Sequence, residues 1–333
     1  MCQYICMVKF GYMLMTEQSG PRELVAHSAA AERAGFDFEL ISDHYSPWLK
    51  EQGHAAYAWS VLGAITQATE RVELMTYVTA PIMRYHPAVV AQKAATVGLL
   101  SGDRFTLGLG SGENLNEHVV GAGWPSVTVR HEMLSEALEI IRSLLDGDLV
   151  NFTGKHYQVD SAKLWDLPQR RVPIATAISG ERSIHRFAPA SDAMIAIEPK
   201  AWFCPEWDSV ARETGQRKIG QIAVAWDTDR DAAVQRAWEK MRWFAGGWKL
   251  NTELRSPAAF AAAARGVQPD DVAGGIPCGA AVEPIVAAAR TFWEAGFTDV
   301  AISQIGVDKD PQGFFRFAET ELLPALREAA TGR

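Results

Sequence analysis

The sequence predicts an α/β protein that folds as one closed (β/α)8 barrel, a TIM barrel with insertions at its C-terminal face. Short apolar runs alternate with longer helical patterns along nearly the whole chain. Such alternation indicates parallel strands joined by crossover helices. About eight strand–helix units can be counted, and a chain of 333 residues suits a closed barrel better than an open doubly wound sheet.

Four strand–helix pairs are predicted in the first half of the chain. Gly35 ends the first helical pattern, and Pro87 stands where a first helical turn tolerates proline. The predicted strands cover residues 8–14, 38–41, 72–77 and 105–109, and the predicted helices cover 23–34, 59–69, 87–100 and 128–145.

The second half repeats this alternation after a short hairpin at 151–159, which has Gly154 at its centre. Strands are predicted at 174–178, 193–197, 219–225 and 299–304, with helices from 178 to about 189 and at 229–244, 285–295 and 311–330. The least regular stretch, 246–279, is interpreted as an insertion over the barrel mouth. We therefore expect one domain over 8–330, preceded by extra residues 1–7, with Met7 as an alternative start.

Composition excludes several classes of protein. There are 32 lysines and arginines against 40 carboxylates, a net charge of −8, which argues against a nucleic-acid partner. Four scattered cysteines cannot form a disulfide framework, so a reduced, cytoplasmic protein is expected. No uncharged run reaches the length of a membrane helix. No histidine pair has the helical spacing of a zinc site, so no metal is predicted.

Two polar segments follow predicted strands at the end of the barrel where reacting groups lie. After the second strand come Asp43, His44 and Trp48, and His44 can exchange a proton with a substrate oxygen near neutral pH. The structural alternative is a capping aspartate with a histidine bonded to backbone. After the fourth strand, a glycine-rich turn places Glu113 in the mouth. The alternative there is a carboxylate that merely starts a helix.

The segment after the fifth barrel strand contains Ser179, Gly180 and Ser183, small residues whose backbone N–H groups could bind phosphate. Simple capping by Ser179 is the alternative that the residues themselves favour. Lys200, beyond the sixth strand, could reach an anion at the mouth, although a lone lysine is more often a surface charge.

Taken in order, these motifs resemble the luciferase-like oxidoreductases, and more closely the branch typified by the coenzyme F420-dependent glucose-6-phosphate dehydrogenases of actinobacteria. The resemblance covers nearly the full chain. It rests on Ser42-Asp43-His44 with Pro47-Trp48, on Gly53-His54, on Arg84-Tyr85-His86-Pro87-Ala88 with Gln92, and on Gly110-Ser111-Gly112-Glu113-Asn114-Leu115-Asn116-Glu117.

The resemblance implies a homodimeric barrel that passes a hydride between a substrate carbon and C5 of the deazaflavin. His44 would transfer the proton at the substrate oxygen, Glu113 would be the second acid–base residue, and Trp48 would wall the substrate side. Lys200 matches one phosphate-binding lysine. The positions that match cofactor contacts are Asp43, Tyr77, Val78, Ala80, Ser111, Gly112, Asn116, Ser179, Gly180, Arg182 and Ser183, with a bulge at Tyr77-Val78 that in the family often holds a non-proline cis peptide.

The chain departs from that pattern in its cations. Family members that oxidise sugar phosphates bind phosphate with two lysines and an arginine, but segments 257–264 and 272–279 carry no cation here. Arg255 or Arg265 could compensate. These departures argue against glucose 6-phosphate and favour a less charged alcohol, or a carbonyl or alkene reduced in reverse. Two alternatives stay open: a flavin mononucleotide (FMN) monooxygenase on the same barrel, and a non-catalytic cofactor-binding protein.

Overall fold

The computed structural model describes residues 8–331 and confirms the closed barrel of eight parallel strands. Around the barrel, each strand pairs with its neighbours in chain order, and the first strand closes against the last. The predicted extra segment 1–7 lies outside the described residues. The barrel strands are β1 (Lys9–Leu14), β2 (Phe38–Ile41), β3 (Glu73–Thr76), β4 (Phe105–Leu109), β7 (Ile174–Ala177), β8 (Ala193–Ile195), β9 (Arg217–Val224) and β10 (Asp299–Gln304).

The predicted hairpin is also present, between β4 and β7. Its strands β5 (Val150–Thr153) and β6 (Gln158–Ala162) pair antiparallel outside the barrel, with Gly154 in the connection. The third barrel strand is one residue shorter than predicted at each end, and at its C-terminal end the chain leaves the sheet in a bulge at Tyr77. The seventh barrel strand begins at Arg217, two residues before the predicted start.

Helices cover the outside of the barrel. They are α1 (Pro21–Ala34), α2 (Ala58–Ala68), α3 (Pro87–Leu100), α4 (Asn114–Glu117), α5 (Val127–Leu145), α6 (Glu181–Phe187), α7 (Phe203–Val210), α8 (Arg230–Met241), α9 (Trp248–Asn251), α10 (Pro257–Ala263), α11 (Pro269–Ala273), α12 (Val282–Glu294), α13 (Pro311–Phe317) and α14 (Leu323–Thr331). Helix α7 was not predicted. Helix α8 ends before residue 244 and passes into a 3₁₀ turn, and a π turn at Ala318–Leu322 separates α13 from α14.

Two apolar clusters form the core. One lies between the strands and the outer helices, and the other fills the barrel bore and continues upward into the mouth. Phe260 of α10 and Val272 of α11 belong to the second cluster together with Trp48, which follows β2. The segment 246–279 therefore packs on the loops at the carboxyl ends of the strands. Within residues 8–331, none of the helices combines the length and the apolar character needed to cross a bilayer.

Candidate active site at the barrel mouth

A cavity of about 460 Å³ opens at the carboxyl ends of β3, β4, β7 and β8, a volume in the usual range for small-molecule sites. Its floor is apolar and includes Val78, Ala177 and Ile195. Its rim is more polar and is closed on one side by the segment that contains α9. The lining residues are Val78, Gly110, Ser111, Gly112, Glu113, His131, Ala177, Ile178, Ser179, Ser183, Ile195, Ala196, Ile197, Glu198, Lys200, Phe203, Gly246, Gly247, Trp248 and Lys249.

His44 forms a buried ion pair that sequence analysis did not foresee. Glu17, in the loop after β1, places its Oε1 2.8 Å from His44 Nδ1. The carboxylate lies off the N–H direction of the ring, so the contact is ionic and not a linear hydrogen bond. Ser42 Oγ donates to Glu17 Oε2 at 2.6 Å and fixes the carboxylate. Only 9% of His44 and 1% of Glu17 are exposed.

The two groups shift each other's pKa. Burial by itself would raise the pKa of Glu17, but the charge of His44 and the hydrogen bond from Ser42 outweigh it, and the pKa falls below its usual value. Burial would likewise lower the pKa of His44, but the negative charges of Glu17 and Glu113 raise it above its usual value. The arrangement keeps Glu17 ionised and favours a protonated His44.

Asp43 lies beside this pair and is saturated by protein donors. Its Oδ2 accepts hydrogen bonds from Thr79 Oγ1 at 2.7 Å and Trp59 Nε1 at 3.1 Å, and its Oδ1 accepts one from Tyr85 at 3.0 Å. Arg84 Nη2 also donates to the Asp43 carbonyl oxygen at 2.6 Å. These contacts orient the loop that carries His44. Direct contact of Asp43 with a cofactor stays a prediction.

Asn116 joins the two loops that carry the predicted acid–base residues. Its Oδ1 accepts from the backbone N–H groups of Tyr45 at 2.9 Å and Ser46 at 3.3 Å. Its Nδ2 donates to Glu113 Oε2 at 3.2 Å. Glu113 lines the cavity, whereas Asn116 is buried. The buried amide therefore sets the position of Glu113 relative to the His44 loop.

Trp48 is buried inside an aromatic cluster. Its ring stacks on Trp243 with centroids 4.1 Å apart and 6° between planes, and it meets Phe260 edge-on at 5.1 Å. Its ring also lies edge-on to His44 at 4.9 Å. The tryptophan that lines the cavity is Trp248, 6.4 Å from Trp48. In this structure, Trp48 thus supports His44, and Trp248 forms the wall.

The bulge after β3 has the peptide geometry that the resemblance implies. The bond between Tyr77 and Val78 is cis, and Val78 lines the cavity. A Cβ on Gly110 would lie 2.6 Å from Val78 Cγ2, so glycine is required there by the bulge itself. Gly112 has φ +70°, and a Cβ there would lie 3.1 Å from Ala80 Cβ. The turn therefore needs its glycines first for packing between β3 and β4.

The segment at the start of α6 is held by Ser183. The Ser183 Oγ accepts from the backbone N–H groups of Ser179 at 3.1 Å and Gly180 at 3.2 Å. A side chain inside the helix thus accepts from the backbone that precedes it, whereas the sequence interpretation had Ser179 capping the helix. The N–H groups of Ser179 and Gly180 are therefore not free to bind phosphate. Ser179 and Ser183 still line the cavity, while Arg182 is exposed. A role in binding phosphate stays a prediction.

Cations at the cavity are few and lie at its rim. Lys200 lines the cavity, with its Nζ 2.5 Å from Glu198 Oε2. Lys249 lines it as well and was not singled out from sequence. Neither Arg255 nor Arg265 is among the described lining residues. No group of three or more His, Cys, Asp or Glu side chains within 8–331 is placed to hold a metal ion.

The barrel thus gathers most of the predicted residues at one mouth, in two layers. One layer lines the cavity and contains Val78, Ser111, Gly112, Glu113, Ser179, Ser183 and Lys200. The other lies outside the lining and contains Asp43, His44, Trp48, Tyr77, Ala80, Asn116, Gly180 and Arg182. Sequence analysis missed Glu17, His131, Trp248 and Lys249. The position of Glu17, three residues after a barrel strand, was the available indication.

A barrel with its acidic and basic groups at the carboxyl ends of the strands defines an enzyme of the (β/α)8 class. The chain belongs to the luciferase-like monooxygenase family, whose model matches residues 1–299. It is 33% identical over 340 residues to an F420-dependent glucose-6-phosphate dehydrogenase of Nakamurella multipartita, covering 96% of this chain and 97% of that protein.

Two solved structures share the fold along the whole chain. An F420-dependent secondary alcohol dehydrogenase, in complex with an F420–acetone adduct, is 29% identical with a TM-score of 0.86, covering 96% of this chain and 99% of the other. The F420-dependent tetrahydromethanopterin reductase of Methanopyrus kandleri is 19% identical with a TM-score of 0.77, over 96% and 99%. The second likeness concerns the fold alone. The predicted family and fold are confirmed.

Proposed function

We propose that this protein is a coenzyme F420-dependent oxidoreductase that transfers a hydride between a substrate carbon bearing oxygen and C5 of the deazaflavin. The observation that carries the proposal is the buried Glu17–His44 pair beside a cavity with an apolar floor. Support comes from the curated relative and from the alcohol dehydrogenase structure, both of which use F420 by name.

The residues present fit a deazaflavin. The cavity runs from the bulge at Val78 past Gly110–Glu113 to Ser179 and Lys200, so it offers an apolar surface for a planar ring and polar groups farther out for a tail. Val78, Ser111, Gly112, Ser179 and Ser183 would hold the cofactor. When bound, the deazaflavin supplies the carbon centre that accepts or donates the hydride.

The protein manages the proton. His44 exchanges it with the substrate oxygen, and Glu17 holds the imidazole and stabilises its charged form. Because the pKa of His44 is raised, the imidazolium form that donates a proton during carbonyl reduction is favoured near neutral pH. Alcohol oxidation needs the neutral ring and therefore gains as pH rises. Glu113, fixed by Asn116, is the second acid–base group, on the cavity wall.

The substrate is a neutral alcohol or ketone. The aromatic cluster of Trp48, Trp243, Trp248 and Phe260 lies next to His44 and offers no charge. Among the described lining residues the lysines and arginines are Lys200, which contacts Glu198, and Lys249, so a sugar phosphate meets fewer cations than the two lysines and an arginine of the family pattern. The secondary alcohol dehydrogenase with its acetone adduct supports the same substrate class.

The assembly is a homodimer in the cytoplasm. Helix α3 exposes the apolar residues Val89, Leu99 and Leu100, each more than 40% accessible. A second copy of the chain would cover this face, as paired identical surfaces do in symmetric dimers. Sedimentation equilibrium measures the mass, and a monomer at micromolar concentration would contradict the proposal.

Two measurements test the function. Fluorescence titration is expected to show tighter binding of oxidised F420 than of FMN, whereas preferential FMN binding would favour the monooxygenase alternative. Stopped-flow reduction of bound F420 should then respond to secondary alcohols and only poorly to glucose 6-phosphate. Two missing charge-assisted contacts at about 1.5–3 kcal/mol each correspond to about two to four powers of ten in affinity. Saturation by micromolar glucose 6-phosphate would overturn the substrate class.

A further inference from the structure

Asn251, at the end of α9, is an anomaly next to the residues that line the cavity. Its side chain is fully buried, and neither Oδ1 nor Nδ2 has a hydrogen-bond partner. A buried amide normally satisfies both atoms, because an unpaired donor or acceptor removed from water costs free energy. This residue was not singled out from sequence and belongs to none of the contacts described above.

The amide lies directly behind the cavity wall. A Cβ built on Gly246 would be 3.1 Å from Leu250 Cδ2 and 3.2 Å from Asn251 Oδ1, so the amide lies against Gly246, which lines the cavity together with Gly247. Gly247 has φ +75° and ψ 157°, a conformation that essentially only glycine adopts, and both glycines are exposed. The backbone over Asn251 is therefore a glycine pair, which has more conformational freedom than other residues.

The other end of the segment is fixed. The Thr252 carbonyl accepts from the Asn114 backbone N–H at 3.0 Å, and the Glu253 carbonyl accepts from Asn114 Nδ2 at 2.9 Å. The Glu253 carboxylate also pairs with Arg130 at 3.2 Å. The backbone that follows Asn251 is thus fixed by Asn114, the residue after Glu113, whereas the glycine pair on its other side can move.

We propose that the Asn251 amide is a recognition group for the ligand in the cavity, reached when Gly246–Gly247 turns aside on binding. A primary amide offers two N–H donors and an accepting carbonyl oxygen without charge, so it suits a partner that can both donate and accept, such as a hydroxyl or an amide. That group belongs either to the cofactor or to the substrate. The inference rests on the proposed function and adds a specificity-determining residue to it.

The test compares Asn251→Leu, which keeps a branched side chain with the same number of heavy atoms, with Asn251→Ala, which needs no extra space. Thr252→Val is the matched control, because the Thr252 hydroxyl is already satisfied by the Lys249 carbonyl at 3.2 Å. Each protein is measured without ligand by thermal melting, titrated with F420 by fluorescence, and assayed with a secondary alcohol.

An orphaned amide predicts an unusual combination. Asn251→Leu should melt at the same temperature as the wild type or about 1–4 °C higher, yet bind ligand about 5- to 50-fold more weakly. A weaker F420 dissociation constant identifies the cofactor as the partner, and a raised KM with unchanged F420 affinity identifies the substrate. Thr252→Val should change neither.

Unchanged affinity and KM in both Asn251 variants would overturn the inference, as would a lower melting temperature with ligand binding intact. Failure of the proposed function is distinguishable, because it appears in the wild-type titration alone, before any variant is compared.

Discussion

Two buried glutamates, one in the barrel mouth and one in its wall, have pKa values that are shifted in opposite directions. Glu17 and Glu39 are each only 1% exposed. Glu17 faces His44 and Ser42, and its pKa is lowered. Glu39 points from β2 toward α1, where Ser28 Oγ lies 2.5 Å from its Oε2 and Oε1 has no partner. Burial raises the pKa of Glu39 to about 8, although Ser28 opposes it.

The difference shows that burial alone does not determine charge. Desolvation acts to raise the pKa of both carboxyls, and it is the largest contribution for each. In the mouth, the charge of His44 outweighs the effect of burial on the pKa of Glu17. In the wall, none of the described cations is close enough to Glu39 to do the same. A buried carboxylate is therefore evidence for a function only where a titratable partner accompanies it, as His44 accompanies Glu17.

The largest effect is expected from removing the histidine of the mouth. His44→Ala should slow hydride transfer about 10²- to 10⁴-fold, the usual contribution of a positioned acid–base group, with F420 affinity nearly unchanged. Stopped-flow reduction of cofactor-saturated, folded protein measures it. Glu113→Gln should also slow turnover, and the double variant should lose less than the product of the two effects. Wild-type reduction rates in His44→Ala would mean that the histidine only ties down its loop.

A smaller effect is expected from Glu17→Gln, which removes the charge but keeps the size. The pKa of His44 should fall, so the pH at which alcohol oxidation reaches its plateau should move downward, and turnover should drop roughly tenfold as the ring loses its orientation. The pH profile of kcat/KM checks this, and Glu39→Gln is the control for replacing a buried carboxyl group that has no cationic partner among the described residues. An unmoved profile would show that Glu17 does not set the pKa of His44.

The same variant has a predicted stability signature. In the wild type, Glu17 stabilises the folded state above the pKa it has in the unfolded chain, and this stabilisation is lost as pH falls through its lowered pKa in the folded protein. His44 stabilises the folded state below the pKa it has in the unfolded chain, and this stabilisation is lost as pH rises through its raised pKa in the folded protein. Glu17→Gln should therefore destabilise the protein most at mildly acidic pH.

Glu39→Gln is expected to leave turnover unchanged. Since the folded pKa is raised from 4.5 to about 8, the wild type loses stability as pH rises through that interval. The glutamine variant should match the wild type near pH 4.5 and exceed its stability by up to about 5 kcal/mol above pH 8. Urea unfolding at the two pH values measures the change. An equal stability difference at both would mean that Glu39 does not titrate as described.

The fold was predictable because its pattern is local. Strands appear as apolar runs, and Gly35 ends α1 with φ +96° as its position suggests. The predicted boundaries were wrong where tertiary packing overrides the pattern. The bulge at Tyr77 ends β3 early, and the 3₁₀ turn at Arg242–Gly246 replaces the last turn of α8. Helix α7 contains Pro205 and spans only eight residues, so its buried stripe of Phe203, Cys204 and Trp207 was too short to mark it from sequence.

The site was predictable only for residues within recognisable motifs. Asp43, His44 and Glu113 follow strands in blocks that resemble a family, and the structure brings them to one mouth. The pairing of Glu17 with His44 joins loops 27 residues apart and depends on the register of β1 against β2. The stacking of Trp48 on Trp243 spans nearly 200 residues, and no spacing rule could indicate it.

The bridge that Asn116 makes has a consequence for transplanting this chemistry into another scaffold. Because the Asn116 amide is hydrogen-bonded both to the backbone after His44 and to the carboxylate of Glu113, the loops after β2 and β4 are held together as one structural unit. A chimera that imports one loop without the other would keep both side chains and lose their spacing. The part of this barrel that can be transferred is therefore the pair of loops together with Asn116, which connects them.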